Sequence, residues 1–142
     1  SSCQSMHESP VSAGDSVPLP WISAAASEVS RPAWELAEFL ESVATAGLHT
    51  QIELPVSGAL HRQDVALEAA YGAGNTLIAQ GAGYGLELSV SRRHQLCLED
   101  DASGGPRLSL VSEDGIRLFS IGASPAGTGR SFFAYLLSVW LK

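Results

Sequence analysis

The spacing of apolar residues changes twice along the chain, from helical to alternating and back to helical. In "SRPAWELAEFLESVATAG" Trp34, Ala37, Leu40, Val43 and Ala44 recur at helical spacing. Ser30 stands where a cap belongs, Pro32 suits a first turn and Gly47 supplies a stop. Glu35, Glu38 and Glu41 fall on the opposite, solvated face. From His49 onward the period drops to two. "HTQIELPV" alternates through Ile52 and Leu54, and further strands are predicted at 59–62, 65–70, 76–80, 84–90, 95–99, 107–111 and 117–121. Gly, Asp and Asn clusters separate them, Asp114-Gly115 marks the sharpest hairpin, and "EDDASGGPR" reads as an exposed connection. The close, "GTGRSFFAYLLSVWLK", returns to helical spacing, with Phe132, Phe133, Leu136, Leu137, Val139 and Trp140 forming a broad stripe.

This order predicts an α+β domain over residues 21–142: an antiparallel β-sheet meander with an N-terminal and a C-terminal helix packed on one face. The other face is then open to a ligand or a second subunit. Residues 1–20 are rich in Ser and Pro without apolar periodicity and read as a flexible arm. At 142 residues the chain has the length of one domain.

The glycine-rich stretch "YGAGNTLIAQGAGYG" raises the question of a phosphate loop. Neither GxxxxGK[ST] nor a GxGxxG between strand and helix is present, and "LELSV" after the second cluster alternates as a strand does. The stretch reads as a short strand between two turns. A formal net charge of −7 repels a phosphate backbone and an anionic membrane surface, so neither nucleic acid nor membrane is expected as a partner. No apolar run approaches the roughly 20 residues that span a bilayer.

The two cysteines, Cys3 and Cys97, imply no disulfide framework, and a reduced, cytoplasmic setting is the simpler expectation. There is no CxxC pair, GxSxG elbow or Cys/His spacing for zinc, so no catalytic or metal residues are assigned and a binding protein is favoured over an enzyme. Histidines stand at positions 7, 49, 61 and 94. Arg92, Arg93 and His94 form the compact basic cluster of an acidic chain. Such a cluster is ordinarily a basic turn between strands. The same three residues also suit a planar ligand bearing carboxylates, with arginine on the carboxylates and imidazole on a metal.

From about Trp34 to Trp140 the order of segments resembles the heme-utilisation proteins of the HemS/ChuX type, in a single-domain, divergent version. The resemblance runs through "AWELAEFLESVATAG", "LHTQIELPVSGALHRQDVALEAAY", "NTLIAQGAGYGLELSVSRRHQLCLED" and "PRLSLVSEDGIRLFSIGAS". It implies a cytoplasmic protein that binds or traffics heme, a homodimer or split pair of units, with His61, Arg92, Arg93 and His94 as cofactor contacts. The apolar pattern is kept better than the polar residues. Pro55 to Gly58 and Ser89 stand where the family often has arginine, and Phe119-Ser120 where it has histidine and lysine. A member of the fold that has lost heme binding is therefore a further reading. An alternative of a different class is a small acidic dimeric chaperone of type III secretion, presenting apolar surface to an extended partner segment.

Overall fold

The computed structural model describes residues 21–23, 25–56, 58–100 and 105–142. The arm expected over 1–20 and part of the 99–107 connection lie outside them. Strand β1 (Ser27–Glu28) is followed by a 3-10 turn (Ala33–Glu35) and helix α1 (Leu36–Ala46). Then come β2 (His49–Val56), β3 (Ala59–Ala73), β4 (Thr76–Gly81), β5 (Tyr84–Ser89), β6 (Gln95–Asp100), β7 (Pro106–Val111), β8 (Arg117–Ala123) and helix α2 (Arg130–Trp140).

The strands form one antiparallel sheet in the order β1-β6-β7-β8-β2-β3-β4-β5. The fold class is α+β, as the periodicities predict, but the expected simple meander is two meanders joined by pairing of β8 with β2. Strands β5 and β6, consecutive in sequence, therefore lie six strand positions apart. In a flat sheet that is about 29 Å. The five residues between Ser89 and Gln95 reach at most about 21 Å, so the sheet must curl.

The bend is made in β3. The sequence predicts two strands there, separated at Gln63-Asp64, but these residues pair with Ile52 and Gln51 and the strand runs unbroken through 15 residues. Its irregularity comes later, where the register shifts between Leu67 and Ala69. Val65, Leu67 and Ala70 are the buried positions, so the spacing changes from two to three across this bulge. The extra residue, Glu68, re-aims the strand while keeping apolar side chains on the inner face. At the bend Gly81 sits opposite Leu67, where an added Cβ would lie 2.7 Å from the Ala66 carbonyl oxygen.

The inner face carries Ile52, Val65, Leu67, Leu77, Ala79, Leu96, Leu108, Leu110, Phe119 and Ile121, which share one core with the two helices. Helix α1 lies against β3 and β4, and α2 against α1 and β8. Phe39 meets Phe133 edge-on at 5.6 Å and Trp140 at 5.3 Å. Burial of each such ring contributes about 1.5–3 kcal/mol.

The helical stripes are rotated from the sequence expectation. Leu36, Phe39, Leu40 and Val43 are buried, whereas Trp34 is 55 % exposed because it belongs to the 3-10 turn, whose period differs from that of the helix. No side chain caps α1, so Ser30 is not its cap. Pro32, in extended conformation, precedes the 3-10 turn. Gly47 ends the helix in left-handed conformation, as expected. Of the carboxylates placed on the solvated face, Glu35 and Glu38 both pair with Arg31, and Glu38 also accepts from Trp140 Nε1 at 3.2 Å. In α2, Phe133, Leu137 and Trp140 are buried, and Phe132, Tyr135 and Val139 face out.

The outer face is not uniformly open. Ile22 and Ala26 pack with Cys97 and Val111, carrying the segment before β1 over one half of it. Cys97 is disulfide-bonded, contrary to the reduced state expected from the cysteine count.

The Gly81→Ala substitution is expected to cost about 1–3 kcal/mol in urea unfolding, because the obstructing atom is backbone that cannot swing aside. Gly85→Ala, with nothing within 4 Å of the new methyl group, should stay within about 0.5 kcal/mol of the parent.

Candidate functional site

The four residues assigned from sequence lie at one end of the sheet. That end is formed by the β2–β3 hairpin tip, the β7–β8 turn and the 90–94 connection. Ladder register fixes this arrangement: Val56 pairs with Ala59, Val111 with Arg117 and Gln95 with Val111. Arg92, Arg93 and His94 share the connection, while His61 lies on β3, four strand positions from β6. No hydrogen bond or ion pair joins His61 to the other three.

The two histidines differ in chemical state. The Ser91 backbone N–H donates to His94 Nδ1 at 3.1 Å, and the His94 N–H donates to the Ser91 carbonyl at 3.1 Å, so the ring closes its own turn. An imidazole that accepts at Nδ1 carries its proton on Nε2 and offers a donor there. Partial burial holds the His94 pKa below its ordinary value. Arg93 supports the same turn, donating its backbone N–H to Ser91 Oγ and reaching Glu113 across the β7–β8 turn at 3.6 Å. The exposed Arg92 extends from this turn.

His61 stands in a different setting. It is the cross-strand partner of Leu54, and Val56 pairs with Ala59. By alternation these four share the face of the buried Ile52. Leu54 touches the core, while Val56 is 55 % exposed. The hairpin tip thus carries a strip of apolar side chains beyond the core, with the exposed, unbonded imidazole of His61 set into it. On the opposite face Arg62 is held by Glu53 at 2.7 Å and is not free for a ligand.

Sequence reasoning missed a polar network on the outer face. Arg107 is buried, donating to Ser120 Oγ at 2.8 Å and to the Gln51 carbonyl at 3.0 Å, with Glu53 at 3.7 Å. Gly122, between Arg107 and Gln51 in the ladders, leaves the space that the guanidinium crosses; a Cβ there would lie 2.8 Å from Nη1. Arg117 grips both oxygens of Glu99, at 2.6 and 2.8 Å, and Ser109 donates to the same carboxylate at 2.7 Å. Burial pushes the Glu99 pKa up, but the hydrogen bonds from Arg117 and Ser109 and the arginine charge bring it below the ordinary carboxylate value. The sequence signal was alternation of Arg and Glu with small residues at strand positions facing away from the core.

No family model and no curated protein sequence matches the chain. Solved structures do, and they define the fold as that of the HemS/ChuX proteins. Apo-PhuS, a heme-binding protein from Pseudomonas aeruginosa, superposes with a TM-score of 0.67 at 14% identity over 84% of this chain and 34% of its own. ChuS, an E. coli heme oxygenase, gives 0.66 at 15% identity over 89% and 38%. The heme-binding protein ChuX gives 0.59 at 10% identity over 79% and 76%. The chain thus spans about a third of the length of PhuS and ChuS and three quarters of ChuX.

Acid should open the 91–94 turn. The His94 pKa is depressed in the fold, so the stabilisation is present above about 6.5, the unfolded value, and is lost as pH falls through the lower folded one. Protection of the Ser91 amide from hydrogen exchange, corrected for intrinsic rate, is expected to fall across that window in the parent and to lack the step in His94→Ala.

Proposed function

We propose that this chain binds heme at the hairpin end of the curled sheet, with His61 as the iron ligand and Arg92 as a partner for a propionate. The observation that carries this reading is the state of His61. Its imidazole is exposed, makes no hydrogen bond among the described residues and sits beside Leu54, Val56 and Ala59, an apolar strip that runs outward from the core. A porphyrin needs these two things together, an apolar face to lie on and a nitrogen lone pair to offer its iron. The fold, shared with proteins that bind heme, supports the same reading.

The residues of the basic turn divide by role. His94 directs its Nδ1 lone pair to the Ser91 amide and presents an N–H outward, so as arranged it holds the turn and offers no ligand. Arg93 is engaged with Glu113, whereas Arg92 has no such partner among the described residues and carries its charge into solvent. Bound heme would supply iron coordination chemistry; the chain's own part is to seat the ring, ligate through His61 and pair a carboxylate.

Titration of the protein with hemin, followed at the Soret band, is expected to give a saturable shift. His61→Ala should weaken it at least about tenfold, equivalent to about 1.4 kcal/mol. His94→Ala should leave it within about twofold, and Arg92→Ala should weaken it by a few-fold in a salt-dependent way. Absence of a saturable shift, or an equal shift in His61→Ala, would overturn the assignment.

A further inference from the structure

We propose that the free edge of β5 takes up an extended, basic polypeptide segment as an added strand. The edge is open in the plain backbone sense. Strand β5 ends the sheet, pairing with β4 on one side only. The Val90 N–H bonds the Asn75 carbonyl on the β4 side at 2.7 Å, which sets the parity of the strand. Residues 84, 86, 88 and 90 turn their backbone groups to β4, so Gly85, Glu87 and Ser89 turn N–H and C=O outward. Among the described residues nothing accepts from or donates to these groups.

Natural sheets blunt such edges with proline, lysine, a bulge or a covering element. The opposite edge, β1, is only two residues long. Strand β5 runs six residues without a bulge or proline, and its small residues Gly85 and Ser89 leave the approach clear. A Cβ added at Gly85 meets nothing within 4 Å. The one guard is Glu87.

That carboxylate selects the occupant. A second copy of β5 would bring two Glu87 side chains together in a chain of net charge −7, and like charges directly opposite destabilise a ladder. A strand with lysine or arginine opposite Glu87 gains where the second copy loses. On the outer face Tyr71, Ile78 and Glu87 form one cross-strand row. Beside it an open concavity of about 410 Å³ is lined by Ile78, Gln80, Gly85, Leu86 and Glu87. A basic side chain there lays its stem on Ile78 and its charge on Glu87. Inward-pointing residues of the added strand would extend the apolar row of Tyr84, Leu86 and Leu88. The occupant is thus a segment alternating basic and apolar residues, held by main-chain hydrogen bonds and chosen by its alternate side chains.

The test is amide hydrogen exchange by NMR on the full chain, with an eight-residue peptide alternating valine and lysine and its valine–glutamate counterpart as probes. The lysine peptide is expected to raise protection at Gly85, Glu87 and Ser89 at least about tenfold, and the glutamate peptide to leave it unchanged. Glu87→Lys should exchange the two preferences. Glu87→Pro, which removes an outward N–H and no bond to β4, should abolish the effect while Soret titration with hemin is unchanged. The proposal is overturned by no protection at millimolar peptide, by shifts scattered over the acidic surface, or by protection that rises with protein concentration alone, which would assign the edge to a second copy.

Discussion

A five-residue connection governs the shape of this protein. Residues 90–94 must carry the chain from β5 at one edge of the sheet to β6 near the other, and so short a link makes a flat sheet impossible. The curl requires a strand that belongs to both halves, and β3 serves by its length and by the bulge at Glu68. Once β3 turns, the inner faces of both meanders look at the same volume. The aromatic contacts of α1 and α2 then fill one core where a flat sheet would need two coverings. The same link passes over the end of the sheet, which is why its basic turn comes beside the β7–β8 turn and at the same end as the β2–β3 tip.

Buried charges on the outer face follow from how the sheet is joined. Pairing of β8 with β2 brings Gly122 between Arg107 and Gln51, and the missing side chain lets an arginine reach over one strand to the backbone of the next. Together with Arg117 and Glu99 it ties four strands with charge-assisted bonds. A buried pair of this kind is weak evidence of net stability, since desolvation opposes the attraction, but loss of one partner strands a charge. It therefore discriminates among registers: a one-residue slip of β7 or β8 would drive these charges into the apolar core.

Local pattern revealed the elements of the fold, and longer-range geometry their arrangement. Alternation was legible through Ile52, Leu54, Leu86, Leu88, Leu108 and Leu110, and so were the turns at Gly74-Asn75 and Gly83, whose glycines adopt positive φ. The phosphate-loop reading of that stretch fails for the reason visible in sequence: a strand follows it. What pattern did not reveal was strand order, because pairing of β8 with β2 joins residues some 70 positions apart and leaves no periodic trace. The break predicted at Gln63-Asp64 failed similarly. Both residues are polar enough for a turn, but both stay in the ladder: Gln63 lies opposite Ile52, while Asp64 faces the outer network and accepts from Ser124 at 3.2 Å.

The histidines show why residue type and position are an incomplete guide to a site. His94, beside two arginines in an acidic chain, has the stronger sequence signal, yet a hydrogen bond from three residues upstream commits its acceptor nitrogen to the backbone. His61 lies in an unremarkable segment, but its strand extends past the core and leaves the ring exposed beside Leu54, Val56 and Ala59. Ligand capacity depends on a free lone pair beside an apolar surface, and that is a property of the ladder opposite Leu54 more than of the residues adjacent in sequence. The basic turn precedes β6, which three strands separate from β3, a distance over which charge reaches and coordination does not.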